Sequence, residues 1–298
     1  MTKMIILNEK DYAEKCLKEK IISDKPFFTL SILAKYYYHC FGYRKKKITE
    51  LLTEFIQITY PLYEVNKSMW NDTIEKIAKN AGKFTLYEIE GVWITKKELE
   101  TIENIHNKVL ERLAFTLLCL AKLANARNPK NTGWVNNDAK EVFSLARISC
   151  SVTNRYERLG ELYRKSLLEL PKRIDNLSVR VTYIDNESEN VLFISDFREL
   201  GYEYLKYKGE NLIRCQDCGI LIRNNKAGTK KYCSNCVGYT PMENKTVLCV
   251  DCGKEFKVDP KNNQTCRCSD CYTIYRANRK LETQRIRREN DKMKSEQF

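Results

Sequence analysis

Nine of the thirteen cysteines fall between residues 215 and 271, and their spacing limits what this part of the chain can fold into. Cys215-x-x-Cys218 is answered by Cys233-x-x-Cys236, and Cys249-x-x-Cys252 by Cys268-x-x-Cys271. A CxxC turn sets two thiolates on one side of a knuckle, and two knuckles close a tetrahedron around one ion. The first knuckles share a CxDCG start, Cys215-Gln-Asp-Cys218-Gly219 and Cys249-Val-Asp-Cys252-Gly253, and one inserted residue aligns the second pairs. A glycine at that place suits a backbone turning through positive φ. The duplication predicts two four-cysteine sites and two Zn²⁺ per chain. Iron shares the ligand type, but long loops between CxxC pairs favour zinc. Cys266 is either a spare thiol or a substitute for Cys268.

Four protein thiolates leave no position for water, so zinc in such a site is structural. Residues 210–298 offer few large apolar side chains, too few for a self-sufficient core. Metal binding supplies folding free energy of order 10 kcal/mol per site instead. It also alters the charge. These residues carry 18 Lys and Arg against 11 Asp and Glu, a formal +7. Eight thiolates and two divalent ions reduce that to roughly +3. What remains is concentrated in Arg276, Arg279, Lys280, Arg285, Arg287 and Arg288, a run without proline or glycine that reads as a basic helix suited to phosphates.

The whole chain of 298 residues has a formal charge of +13 and 43% hydrophobic residues, enough for packed cores. Its only histidines are His39 and His106, which puts most imidazole chemistry out of reach. No GxGxxG, phosphate loop or HExxH is present, and no Ser or Cys has a His and acid partner nearby in sequence. The sequence therefore reads as nonenzymatic, with no small-molecule substrate expected. The longest apolar run, Leu113 to Ala121, is far short of the roughly 20 residues of a membrane helix. No membrane partner is expected, and the chain reads as cytoplasmic, where disulfides are rare; the odd number of cysteines agrees with this. Cys16, Cys40, Cys119 and Cys150 read as small hydrophobes within helices.

Helical spacing dominates the first two thirds. Helices are expected over about Asp11–Ile22, Pro26–Cys40, Lys46–Thr59 and after Asn66, the last burying Trp70, Ile74 and Ile77. Thr95-Lys-Lys-Glu98 is a capping box, and Leu99 to Leu120 continue one long helix to about Ala126. A short helix capped by Asn136 or Asn137 follows, then one over Thr153–Leu168 capped by Thr153 or a neighbour. Ser178–Ile184 and Asn190–Ile194 are β-rich and read as a hairpin turning at 185–188. Ser195 and Glu199 cap a spacer helix.

Helix, short helix, helix and hairpin, with Trp134-Val135 before the second helix, resemble a winged helix-turn-helix over residues 105–195. The resemblance implies that 153–168 is a recognition helix and 182–190 the wing. Asn154, Arg155, Arg158 and Lys165 would then contact nucleic acid, with Glu161 opposing on the same face. The C-terminal module is similar to the zinc modules ending CGNR-type bacterial regulators, without the Cys-Gly-Asn-Arg tetrad. The expected fold is mainly α (α+β): an N-terminal helical domain (1–94), a winged-helix-like domain with linker helix (95–209), and tandem zinc-ribbon-like modules with a basic C-terminal helix (210–298). Two functions are consistent with this. One is a zinc-containing regulator of bacterial or phage origin that binds duplex DNA. The other, suggested by a Lys-, Asn- and Ile-rich composition typical of mobile elements, is an adaptor or inhibitor that binds a host protein.

Overall fold

The computed structural model describes residues 5–171, 178–225, 227–237, 245–258 and 266–295. The protein is mainly α with small antiparallel sheets, as expected, and divides into two compact units, residues 1–233 and 234–298.

The first unit begins with four helices: α1 (Glu9–Glu19), α2 (Pro26–Phe41), α3 (Lys45–Thr59) and α4 (Lys67–Asn80). Asn8 caps α1 by accepting from the amides of Lys10 and Asp11, which sets the start two residues earlier than the apolar pattern alone suggests. Leu30, Leu33, Ile48, Leu52, Ile56 and Ile74 meet in one core, which Trp70 and Ile77 join. Glu9 is buried and takes Lys35 as its ion partner and the Tyr87 amide as a donor.

A second core forms around a helix whose start corrects the expected single long helix. The capping box at Thr95 and Glu98 forms, but it opens only α5 (Lys96–Glu103). His106 turns through φ 54°, and Asn107 caps a fresh helix, α6 (Lys108–Arg127), by accepting from Val109 and Leu110 amides. The break lets α6 bury nearly its whole circumference from Leu113 to Ala121. Two further helices, α7 (Ala139–Leu145) and α8 (Val152–Arg164), start at Asp138 and Ser151, not at Asn136, Asn137 or Thr153. The side chain of Asp138 takes the Lys140 amide and that of Ser151 the Asn154 amide.

The strands depart most from expectation. β1 (Val92–Thr95) pairs antiparallel with β5 (Asn190–Ile194), Val92 opposite Ile194. The other sheet is β2 (Trp134–Val135), β3 (Leu168–Glu169) and β4 (Val179–Val181), all antiparallel in the order β2–β4–β3. The two β-rich segments are therefore strands, but in different sheets. Residues 182–190 join those sheets and form no hairpin, and β4 is paired on both sides by Leu168 and Val135 neighbours instead.

Glu98 ties these parts together. Fully buried, it accepts from the Thr95 amide (2.8 Å), the Asp185 amide (2.9 Å) and Lys122 Nζ (2.8 Å). Lys122 also reaches the Trp93 carbonyl at 2.7 Å. A helix, α9 (Leu200–Tyr207), follows with Glu199, not Ser195, at its start. Its Tyr204 hydroxyl donates to buried Glu111 at 2.9 Å. From α9 the chain enters β6 (Leu212–Arg214) and β7 (Leu221–Arg223), paired antiparallel.

The second unit holds β8 (Lys245–Leu248) paired with β9 (Glu255–Val258), and a 27-residue helix, α10 (Ser269–Ser295).

Candidate metal centre

Each hairpin carries a knuckle at its turn. In β6–β7 the Cys215 amide donates to the Ile220 carbonyl and the Gly219 amide to the Cys215 carbonyl, both at 2.9 Å. In β8–β9 the same bonds run from Cys249 to Lys254 and from Gly253 to Cys249, again at 2.9 Å. Gly219 and Gly253 turn through φ 71° and 70°, a conformation a side chain would strain. The second CxxC is docked by two further bonds. The Gln216 amide donates to the Lys231 carbonyl and the Val250 amide to the Cys266 carbonyl, both at 3.0 Å.

That last pair settles the ambiguous cysteine. Cys266 stands where the first module has Lys231, contributing its carbonyl while its side chain is exposed. The cluster members are Cys215, Cys218, Cys233 and Cys236 in one group, and Cys249, Cys252, Cys268 and Cys271 in the other, with all Sγ atoms of a group within 4.8 Å of one another. The S–S separations are 3.7 Å for Cys218–Cys233 and 3.8 Å for Cys252–Cys268. A disulfide needs about 2.05 Å. A tetrahedron of bonds about 2.3 Å long has edges of about 3.8 Å, so both groups have the span of four thiolates around a single ion. A cluster of several irons would hold its thiolates farther apart.

The surrounding amides favour thiolate. The Cys233 amide points at Cys215 Sγ (3.3 Å) and the Cys268 amide at Cys249 Sγ (3.4 Å). Donation from the Cys218 backbone first, then from Cys233 and Asp217, holds the Cys215 thiol at about 6 against the opposing effect of burial. Cys249 is held at about 6 in the same way by the Cys268 backbone, then Cys252 and Asp251. Cys271 is pushed far up by the thiols of Cys252 and then Cys268. Without a cation, four such groups cannot all ionise; a divalent ion removes that conflict.

The expected nucleic-acid contacts are placed unevenly. Asn154 on α8 and Lys165 at its C-terminal cap are exposed, whereas Arg155 and Arg158 are half-buried. Arg155 lies on the same helical stripe as buried Leu159 and Leu162 and donates to the Cys150 carbonyl at 3.4 Å. It also lines a cavity of about 670 Å³ with Asn136, Asn137, Lys140, Tyr156 and Ser178. Arg276, Arg279, Lys280, Arg285 and Arg287 are exposed along α10; the side chain of Arg288 lies outside the described residues. Sequence reasoning missed the docking carbonyls of Lys231 and Cys266. Both follow the first cysteine of their module at nearly equal distance, but a backbone acceptor leaves no mark on residue type, and the two positions hold Lys and Cys.

Comparison with protein-family models, with curated proteins and with solved structures gives no significant match. Among the described residues no helix is long and apolar enough to cross a membrane.

Proposed function

We propose that this chain is a nonenzymatic, cytoplasmic zinc-binding protein that docks on duplex DNA, with a role in transcription regulation in a bacterium or phage. Zinc is the ion these all-thiolate, closed sites suit best. The observation that carries the DNA reading is the strand order β2–β4–β3. With α6 before β2, and α7 and α8 between β2 and β3, this arrangement resembles the element order of a winged helix-turn-helix and supports the reading without a hairpin at 182–190. It leaves Asn154 on α8 and Lys165 at its C-terminal cap exposed, as a groove-reading helix requires. A second cationic element, α10, presents five exposed basic side chains between Arg276 and Arg287.

Fluorescence anisotropy on a mixed-sequence duplex tests this directly. Binding should weaken steeply with salt, and replacing Arg276, Arg279, Arg285 and Arg287 by Gln should flatten the slope of log K against log salt by about 3. Unchanged affinity after both those changes and Asn154→Ala with Lys165→Glu would sink the reading.

A protein-binding adaptor or inhibitor is the second reading, and one observation favours it. Ile58, Leu62, Val65 and Met69 are 66%, 54%, 77% and 54% exposed along the α3–α4 connection. A run of large apolar side chains in water marks contact surfaces. Co-purification of one stoichiometric protein that survives nuclease and high salt, and is lost in Val65→Glu, would favour this reading over DNA.

A further inference from the structure

Two short stretches of sequence meet at one cavity. Asn136 to Lys140 lead into α7, Val152 to Tyr156 open α8, and both line the cavity of about 670 Å³ together with Ser178. That volume is in the range of small-ligand pockets. Its charge is one-sided. Lys140 and Arg155 are both in the wall, and neither forms an ion pair among the described residues. The carboxylate in the wall, Asp138, has its Oδ1 occupied by the Lys140 amide at 2.6 Å. Val152 is the first residue of α8, so the positive end of that helix adds to the same field. Arg155 is also short of acceptors. Its Nη2 reaches the Cys150 carbonyl only at 3.4 Å, and its Nε is buried with none. An N–H removed from water without an acceptor is unfavourable, and a guanidinium fork is completed by two oxygens of a phosphate.

The neutral groups beside these cations suit more than a bare anion. Asn136 Oδ1 accepts from Ser178 Oγ at 2.7 Å, which leaves its Nδ2 to donate. Asn137 does the reverse: its Nδ2 donates to Glu141 at 3.3 Å, which leaves its Oδ1 to accept. A donor and an acceptor on adjacent residues match the mixed edge of a nucleobase. Tyr156 is exposed in the same wall and offers an aromatic ring of the kind on which bases stack.

We infer that the cavity at the starts of α7 and α8 is a site for a nucleotide, with Lys140 and Arg155 taking the phosphate and Asn136, Asn137 and Tyr156 the base. The nucleotide is either free or one unit of a nucleic-acid strand. The site does not rest on the DNA reading, which uses Asn154, Lys165 and the cations of α10.

Isothermal titration of the full, metal-loaded chain with each of the four ribonucleoside 5′-monophosphates tests the site. At least one should bind saturably and more tightly than inorganic phosphate. Lys140→Gln and Arg155→Gln should each weaken it about tenfold. Tyr156→Ala should weaken the nucleotide about tenfold and leave inorganic phosphate unchanged, and Arg164→Gln, outside the cavity, should change neither. Lys140 and Tyr156 are exposed, so their variants test the site even if Arg155→Gln fails to fold; metal content and melting temperature check folding. A single-stranded oligonucleotide that displaces the bound nucleotide identifies a strand as the source, and one that does not identifies a free nucleotide. Nucleotide binding in a chain without affinity for duplex DNA would sink the DNA reading and leave this site standing. No saturable binding by about 10 mM nucleotide, inorganic phosphate binding as tightly as every nucleotide, or wild-type affinity in both Lys140→Gln and Tyr156→Ala overturns the inference.

Discussion

At the scale of single residues, Cys266 and Cys268 are separated by one position and do opposite things. The carbonyl of Cys266 docks the first knuckle, while the thiol of Cys268 completes the cluster. Cys266→Ser is therefore expected to keep two ions per chain by elemental analysis, and Cys268→Ser to keep one. Equal metal content in the two variants would contradict the assignment. The eight thiols of the clusters were legible from spacing, because tetrahedral ligation leaves few alternatives to paired CxxC turns. The fate of Cys266 was not, because a backbone carbonyl has no sequence signature. Acid should release the ions in a defined range. Cys215 and Cys249 are held at about 6, against roughly 8.5 for a free thiol. Their thiolates thus favour the folded state fully above pH of about 8.5, and the advantage is lost as pH falls through about 6. A chromogenic metal indicator should report little release at pH 7 and a steep rise below 6. Release already complete at pH 7 would mean that these amides do not tune the thiols.

At the scale of elements, local signals were legible and pairings were not. Helices α2 and α3 lie within a residue of their expected bounds and α4 starts where expected, because an amphipathic stripe and its cap are both local in sequence. The hairpin failed for the opposite reason. Val179–Val181 and Asn190–Ile194 have the composition of strands, yet they do not pair with each other: β4 lies between distant Val135 and nearby Leu168, and β5 pairs with distant Val92. Turn residues at 185–188 say only that the chain bends. What holds the bend is Glu98, which ties α5, α6, β1 and Asp185. Removing one partner of a buried pair leaves an uncompensated charge, so Lys122→Met should cost about 3–5 kcal/mol in chemical denaturation. A loss under 1 kcal/mol would show the pair to be dispensable. Gly201→Ala decides between two effects of opposite sign. Alanine favours helix α9 by about 1 kcal/mol, but its Cβ would collide with the Ala146 carbonyl, a backbone atom that cannot swing away. Overpacking costs about 1–3 kcal/mol, so net destabilisation is expected, and a higher melting temperature would show that α9 can shift off α7.

For the whole molecule, stability should come from two sources that chemistry can separate. The cores around α2–α4 and α6 contain none of the eight clustered cysteines. All three tryptophans, Trp70 on α4, Trp93 on β1 and Trp134 on β2, lie in the first unit outside its cysteine module. The cysteine modules bury little beyond Leu212, Leu221, Ile222 and Val258, so the ion must supply most of their folding free energy, about 10–16 kcal/mol for a structural zinc at neutral pH. α10 depends on the same ion at one remove. Its first turn contains Cys271, the Tyr272 amide bonds the Cys268 carbonyl, and its described side chains from Tyr272 to Arg287 are exposed, so tertiary packing contributes little to holding it helical. A strong chelator with reductant should therefore abolish hydrogen-exchange protection over 212–223 and 245–258 and lower helical ellipticity by a fraction matching α10, while tryptophan emission stays native. If tryptophan emission shifted together with the loss of metal, the helical cores would depend on the ions too, and the separation argued from their residue content would be wrong. If protection at 212–223 and 245–258 survived chelation, the knuckles would fold without the ion, and the charge conflict at Cys215 and Cys249 would have to be resolved by protons alone.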